Sequence, residues 1–516
     1  MKPLPFLPIA LFSAALLAPA RADVSLPSLF SDHAVLQRDK AVPVWGWADP
    51  GEEVSVSFGG QSKSTKAGAD GKWRVSLDKL KTGEPGTLTV KGKNTIAVND
   101  VLVGEVWLCS GQSNMSFQVS RAVDFDKEKA AGDHPKLRVF TVGSSGANEP
   151  QEKCTGRWVV STPETVGSLS AIAYFFGRDL QAKLNLPLGM INSSVGGTPI
   201  ESWTSLEAQR NVPEVKPIFG SWEKRIAEFD PEKTKVDNEK RKAAYDIAAA
   251  KAQAAGKPVS RFKPALDPKI DSKRPVNLFN GKIAPLIPFA IRGAVWYQGE
   301  SNAGTVEGGL AYRKQLPLLV EDWRKRWGYE FPFAWVQLPE LERGGSEGWC
   351  LVREAMLKSL KLPHTGMAVA LGLGDLHDVH PTRKQEVAQR LAAWALVDVY
   401  EQKGASSGPL YASHKVSGDK VTLTFTHVDG GLSAKDGELK GFIVAGEDKA
   451  WKPATATIDG TKIVVSSSEV KAPVAVRYAW KDSPEFNLYN GAGLPASPFR
   501  TDEWPIAEAS AAPVRK

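Results

Sequence analysis

Gly104-Glu105-Val106-Trp107-Leu108-Cys109-Ser110-Gly111-Gln112-Ser113-Asn114-Met115 joins a mostly apolar run to a turn of small and polar residues. The run reads as a buried strand, and the turn as its abrupt exit. Working outward, Ala171 to Leu184 has helical spacing of apolar residues, and 387–399 reads as a second long helix. Leu188-Gly189-Met190-Ile191-Asn192 and Gly293-Ala294-Val295-Trp296-Tyr297 are further strand-like runs, each followed by small or polar residues. Strands alternating with helices over 103–400 predict a mainly parallel sheet flanked by helices. In such sheets ligands bind beyond the carboxyl ends of the strands, where the turn after Cys109 lies.

The flanks have a different texture. Residues 24–102 read as all-β, with Val42-Pro43-Val44-Trp45-Gly46-Trp47, Glu53-Val54-Ser55-Val56-Ser57-Phe58 and Trp73-Arg74-Val75-Ser76-Leu77 as short runs of period two. Asp49-Pro50-Gly51, Gly59-Gly60 and Asp70-Gly71 supply turns, so a small sandwich is expected over 23–102. Residues 409–500 return to β within a C-terminal region of 401–516. Inside the α/β region, 205–275 reads as a helical, charged insertion whose Lys-, Glu- and Ala-rich stretch is a solvated helix or hairpin.

The composition sets limits. A chain of 516 residues with 42% hydrophobic and 24% charged residues is globular and long enough for two to four domains. The balance of 65 Lys+Arg against 58 Asp+Glu is a mild excess without the clustering a nucleic-acid partner requires. The first 22 residues read as a signal peptide: Lys2, an apolar stretch over 4–17, and the small-x-small site Ala20-Arg21-Ala22. Export to the periplasm or outside the cell is therefore expected, with no membrane partner once the signal is cut. Cys109, Cys154 and Cys350 form neither a disulfide framework nor a zinc pattern, and read as small buried hydrophobes. Sixteen Trp suit either core anchors in β-domains or stacking platforms for sugars.

Chemistry is expected at the strand ends. Ser113 is a candidate nucleophile, since Gly111 permits a tight turn that lifts the hydroxyl clear of the sheet. A hydroxyl needs a positioned base. The seven histidines are His33, His134, His364, His377, His380, His414 and His427. Of these, His377 and His380 stand out in Gly374-Asp375-Leu376-His377-Asp378-Val379-His380-Pro381, between an apolar strand and a helix. A metal site there would need a further ligand cluster, and none is visible. Gly196-Gly197 in Ser194-Val195-Gly196-Gly197-Thr198-Pro199, and Asn302 in Gln298-Gly299-Glu300-Ser301-Asn302, are candidate oxyanion donors. Gly404-Ala405-Ser406-Ser407-Gly408 spells a nucleophile elbow but lies in a polar linker.

The segments Gly-Gln-Ser-Asn-Met (111–115), Gly-Gly-Thr-Pro-Ile-Glu-Ser-Trp (196–203), Trp-Tyr-Gln-Gly-Glu-Ser-Asn (296–302) and Asp-Val-His-Pro (378–381) together resemble the sialate O-acetylesterase family, a branch of the SGNH/GDSL hydrolases. Residues 29–51 and 487–500 resemble the family's flanking segments. The resemblance implies a flavodoxin-like three-layer α/β core with flanking N- and C-terminal β-rich domains, and a serine esterase of O-acetylated carbohydrate that needs no cofactor or metal. It implies Ser113 as nucleophile, His380 as base, and the Ser113 N–H, Gly197 and Asn302 as oxyanion donors, with Gln112, Gln298 and Glu300 toward the substrate. Asp378 matches the Asp-x-His-Pro form of this branch. Asp375 is its rival, and a backbone carbonyl is a third way to orient the imidazole. Acetylated xylan or pectin is an alternative substrate, and a non-catalytic glycan-binding protein is the alternative class.

Overall fold

The computed structural model describes residues 23–257, 259, 261–344 and 347–506, so the segment 1–22, expected to be a signal peptide, lies outside the described residues. Its main sheet is built on β1 (Thr95–Gly111), β2 (His134–Thr141), β3 (Trp158–Ser161), β4 (Leu188–Ser194), β5 (Gly293–Tyr297), β6 (Phe333–Gln337) and β7 (Thr365–Val369). The strand order is β7-β6-β5-β1-β4-β2-β3. Neighbours are parallel throughout except β2 with β3. From β1 the chain fills one side with β2 and β3, then β4 between β1 and β2, and crosses to the other side with β5, β6 and β7. That reversal makes the carboxyl end of β1 the natural crevice.

Alternation along the strands divides the interior into two cores. Ala294, Trp296, Phe333 and Trp335 join one cluster with Leu316, Leu319 and Trp323 of α3 (Val306–Trp327) and Met356 of α4 (Glu347–Ser359). Val295, Tyr297, Ala334 and Val336 join the other with Phe175 and Phe176 of α1 (Ala171–Leu184) and Val387 and Leu391 of α5 (Lys384–Trp394). A period of two thus feeds both faces of one sheet, giving the three-layer α/β core. A long helix of the charged insertion, α2 (Pro231–Ala254), buries none of its residues.

The central strand has two environments. Gly86–Lys91 pairs with its first half in the N-terminal β-rich region, where Glu53–Phe58 and Gln61–Lys66 extend the same ladder. Val42–Trp47 and Lys72–Leu77 form a separate antiparallel pair. The second half of β1 is buried without interruption from Val101 to Gly111. Glu105 lies within that run, its carboxylate bonded to Arg38 (2.5 Å) and Arg292 (2.5 and 2.9 Å). These partners compensate a charge that burial would otherwise make very unfavourable. They also tie the N-terminal region and the segment before β5 to the central strand.

The C-terminal β-rich region consists of two four-stranded sheets and a two-stranded one. It is joined to the core by Arg353 of α4, whose guanidinium donates to the carbonyls of Leu338, Pro339, Lys481 and Asp482. Trp107, Trp203, Trp296, Trp323, Trp335 and Trp349 are fully buried, so much of the tryptophan serves packing. All three cysteines are buried free thiols.

Candidate active site

β1 ends at Gly111, whose φ is +142° and whose missing Cβ would stand 2.1 Å from the Tyr297 carbonyl oxygen. Only glycine fits that approach. The Gln112 N–H donates to the same carbonyl (3.0 Å), after which Ser113–Ser116 makes one helical turn. Ser113 is left half-buried at the tip of the strand.

Across 267 residues of chain, His380 brings Nε2 to 2.7 Å from the Ser113 hydroxyl oxygen. The imidazole is on the loop between β7 and α5. Asp378 Oδ1 accepts the His380 N–H at 2.8 Å and lies 3.4 Å from Nδ1. Asp375 Oδ1 instead accepts the N–H groups of His377 (2.9 Å) and Asp378 (3.2 Å), which folds the loop. The His377 ring is exposed and lies 3.8 Å from Glu342. Of the two aspartates, Asp378 is the one beside the ring. Burial holds His380 below the usual histidine range; Lys384 and Arg121 act in the same direction, and Asp378 opposes them.

The remaining two segments close around the serine. Val195 N–H donates to the Gly111 carbonyl at 3.1 Å, and a Cβ on Gly196 would stand 3.3 Å from Ser113 Cβ. Gly197 follows with φ +70° and open space around it. Asn302 Oδ1 accepts from the Ile200 N–H (3.0 Å) and from Gln298 Nε2 (2.8 Å), while its Nδ2 donates to Glu201 (3.0 Å). One Nδ2 hydrogen is thereby committed, and a second remains. Burial pushes the Glu201 carboxyl up, against its bonds from Asn302 and Gln315.

Gln112, Gln298 and Glu300, expected from the resemblance to face substrate, are all buried. Gln112 Oε1 accepts the Ser301 N–H (3.3 Å). Gln298 is fully enclosed, donating to Asn302 and to the Thr198 carbonyl (3.2 Å) and accepting from Tyr312 (2.9 Å). Glu300 accepts from Asn114 Nδ2 (2.5 Å). These contacts hold the loops in register.

Sequence reading missed Lys384, Asn114 as more than a motif letter, and Glu201. Lys384 left no signal in the sequence, because the helix expected from 387 is found to begin at Lys384 only in the structure. Among the described residues no group of three or more His, Cys, Asp or Glu is arranged to hold a metal ion, and no helix is long and apolar enough to cross a membrane. The arrangement as it stands puts an imidazole nitrogen within hydrogen-bond distance of the Ser113 hydroxyl.

Comparisons with known proteins agree in direction. A family model described as carbohydrate esterase, sialic acid-specific acetylesterase matches residues 103–227 and 277–396. The mouse sialate O-acetylesterase is 30% identical over 532 residues, spanning 92% of this chain and 93% of the mouse protein. The human sialate O-acetylesterase is 30% identical over 527 residues, spanning 92% and 91%. The crystal structure of a carbohydrate acetylesterase from Xanthomonas citri superposes with a TM-score of 0.79 at 36% identity, covering 93% of this chain and all of that one.

Proposed function

The chain belongs to the sialic acid-specific acetylesterase family of carbohydrate esterases, and from that membership we propose that it is an exported serine esterase releasing acetate from O-acetylated sugars. The observation that carries the serine mechanism is the 2.7 Å contact between Ser113 Oγ and His380 Nε2 at the carboxyl end of the central strand. In this reading His380 takes the hydroxyl proton as Ser113 Oγ bonds to the acetyl carbon. The carbonyl π-electrons move onto oxygen, where the N–H groups of Ser113 and Gly197 and the remaining Asn302 Nδ2 hydrogen stabilise the charge. Collapse expels the sugar oxygen, which takes the proton from His380. Water, deprotonated by His380, then cleaves the acetyl-enzyme to acetate and restores Ser113. Asp378 holds the imidazole and favours its charged form.

Arg121 supports an acidic sugar as substrate. It is exposed at the end of the short turn Val119–Arg121, and its guanidinium lies over the Phe117 ring at 4.5 Å. It has no carboxylate partner among the described residues, and its charge is felt at His380. A carboxylate on the sugar would supply that partner. The export reading rests on the signal-like segment 1–22. The experiment is acetate release across O-acetylated sialosides, acetylxylan and acetylated pectin. Turnover highest on sialosides supports the proposal, and release from xylan alone would replace the substrate while keeping the esterase. No release from any of them, or from a simple acetyl ester, would overturn it in favour of a glycan-binding protein.

A further inference from the structure

Behind Ser113, one carboxamide joins the three loops of the site. Asn114 is fully buried. Its Oδ1 accepts from Lys384 Nζ at 2.6 Å, and its Nδ2 donates to Glu300 Oε1 at 2.5 Å and to the carbonyl of Val379 at 2.9 Å. Asn114 follows the serine, Val379 precedes His380, and Glu300 lies on the loop that carries Asn302. Each polar contact therefore fixes a different segment relative to the others.

An ammonium only donates, so Lys384 decides which end of the amide faces it. With the oxygen held there, both N–H bonds must point at Val379 and Glu300. Turned over, the amide would present its oxygen to a carbonyl and a carboxylate, with no donor for either. The lysine is itself an expensive residue at this position. It is fully buried, at the first position of α5, where the helix dipole disfavours a cation. Burial pushes its pKa down to about 7, while Glu300 supports the charged form. The rings of Phe117 and Tyr297 lie 4.7 and 5.5 Å from the ammonium and add cation–π attraction. Packing alone would be served by an apolar side chain.

We propose that Lys384 and Asn114 are positioning residues: Lys384 fixes the orientation of the Asn114 amide, and Asn114 thereby holds the backbone that delivers His380 to Ser113. The assignment rests on the Ser113–His380 reading above. A displacement of the imidazole by about 1 Å is enough to lower turnover roughly 10²-fold.

The test is a double-variant cycle on the full chain, with kcat and KM from acetate release and folding followed by near-ultraviolet circular dichroism. Lys384→Met and Asn114→Asp are each expected to lower kcat about 10–100-fold with KM within about twofold of the parent. Asn114→Asp keeps the side-chain volume and a partner for Lys384, so it remains informative should Lys384→Met fail to fold. Because Lys384 acts through Asn114, adding Lys384→Met to Asn114→Ala should lower kcat no further. Parental kcat in either folded single variant, or losses that multiply in the double variant, would overturn the assignment. The reading beneath it fails separately. Activity retained by Ser113→Ala removes both, whereas an inactive Ser113→Ala beside a fully active Lys384→Met removes only the positioning role.

Discussion

Two regions of this molecule are rich in charged and polar side chains, and they could hardly differ more in what those groups do. The helix α2 exposes nearly everything it carries. Asp230 caps it, accepting the Lys233 N–H at 3.0 Å, Pro231 opens it, and Lys242 pairs with Asp246 one turn on at 2.6 Å. Each of these groups has water as an alternative partner, so losing one contact changes little. The loops behind Ser113 hold Asn114, Glu300 and Lys384 out of water, where no alternative exists. A polar group there is either matched or strongly destabilising. Burial, rather than polarity, decides which charged residues matter.

Removal of the serine hydroxyl probes the buried loops most severely. Ser113→Ala should lower acetate release about 10⁴-fold or more while leaving the circular dichroism spectrum unchanged, as removal of a nucleophile does in comparable sites. Turnover near the parental rate in the folded variant would move the chemistry elsewhere.

The next largest effect separates the two aspartates of the His380 loop. Asp378→Asn should lower kcat about 10²-fold, less than the ~10⁴ known for a fully hydrogen-bonded triad, because Nδ1 and Oδ1 stand 3.4 Å apart. Asp375→Asn should weaken only the folding of the loop. The rate–pH profile adds a sign. The base works neutral, so activity falls as pH drops through the His380 pKa, which burial, Lys384 and Arg121 hold below the usual value. Asp378 opposes that lowering, and Asp378→Asn should move the acidic limb to still lower pH. An unmoved limb in Asp378→Asn together with a shifted one in Asp375→Asn would reverse the assignment.

A smaller effect is expected at Arg121. Arg121→Gln should raise KM about tenfold for an acetylated acidic sugar, the scale of one lost charge-assisted hydrogen bond, and leave a neutral acetyl ester unaffected. Equal losses on both substrates would show that the guanidinium serves the site rather than the sugar. Smallest of all, Lys242→Ala in α2 should change stability by less than about 0.5 kcal/mol and leave kcat untouched. A large loss of thermal stability in that variant would mean that the insertion is held by more than its own exposed pairs.

The elements were legible from local pattern. A continuous apolar run marked the central strand because a strand covered on both faces has no side for polar residues, and helical spacing over Ala171–Leu184 matched the helix found there. The Lys-, Glu- and Ala-rich stretch of the insertion read as a solvated helix or hairpin, and it forms a helix over Pro231–Ala254. Limits were less legible. The central strand runs on from Thr95, since its first half pairs within the flanking β-region, and the helix expected at 387–399 begins at Lys384 and ends at Trp394 before a wider turn. The Ser113 and His380 motifs were visible as small and polar residues interrupting apolar runs at strand ends.

Tertiary structure alone decided how those motifs meet. Asp378 and Asp375 are equivalent letters until the loop folds, and only then does one carboxylate reach the ring while the other caps backbone N–H groups. Gln298 and Glu300 look like exposed site residues in a polar segment, yet they lie buried and bond across to the Thr198 carbonyl and to Asn114. The partnership of Lys384 with Asn114 spans 270 residues of chain. Local spacing records which face of an element is apolar, because the elements repeat regularly. A hydrogen bond between distant loops leaves no such period, and exists only once the sheet has set the ends of its strands side by side.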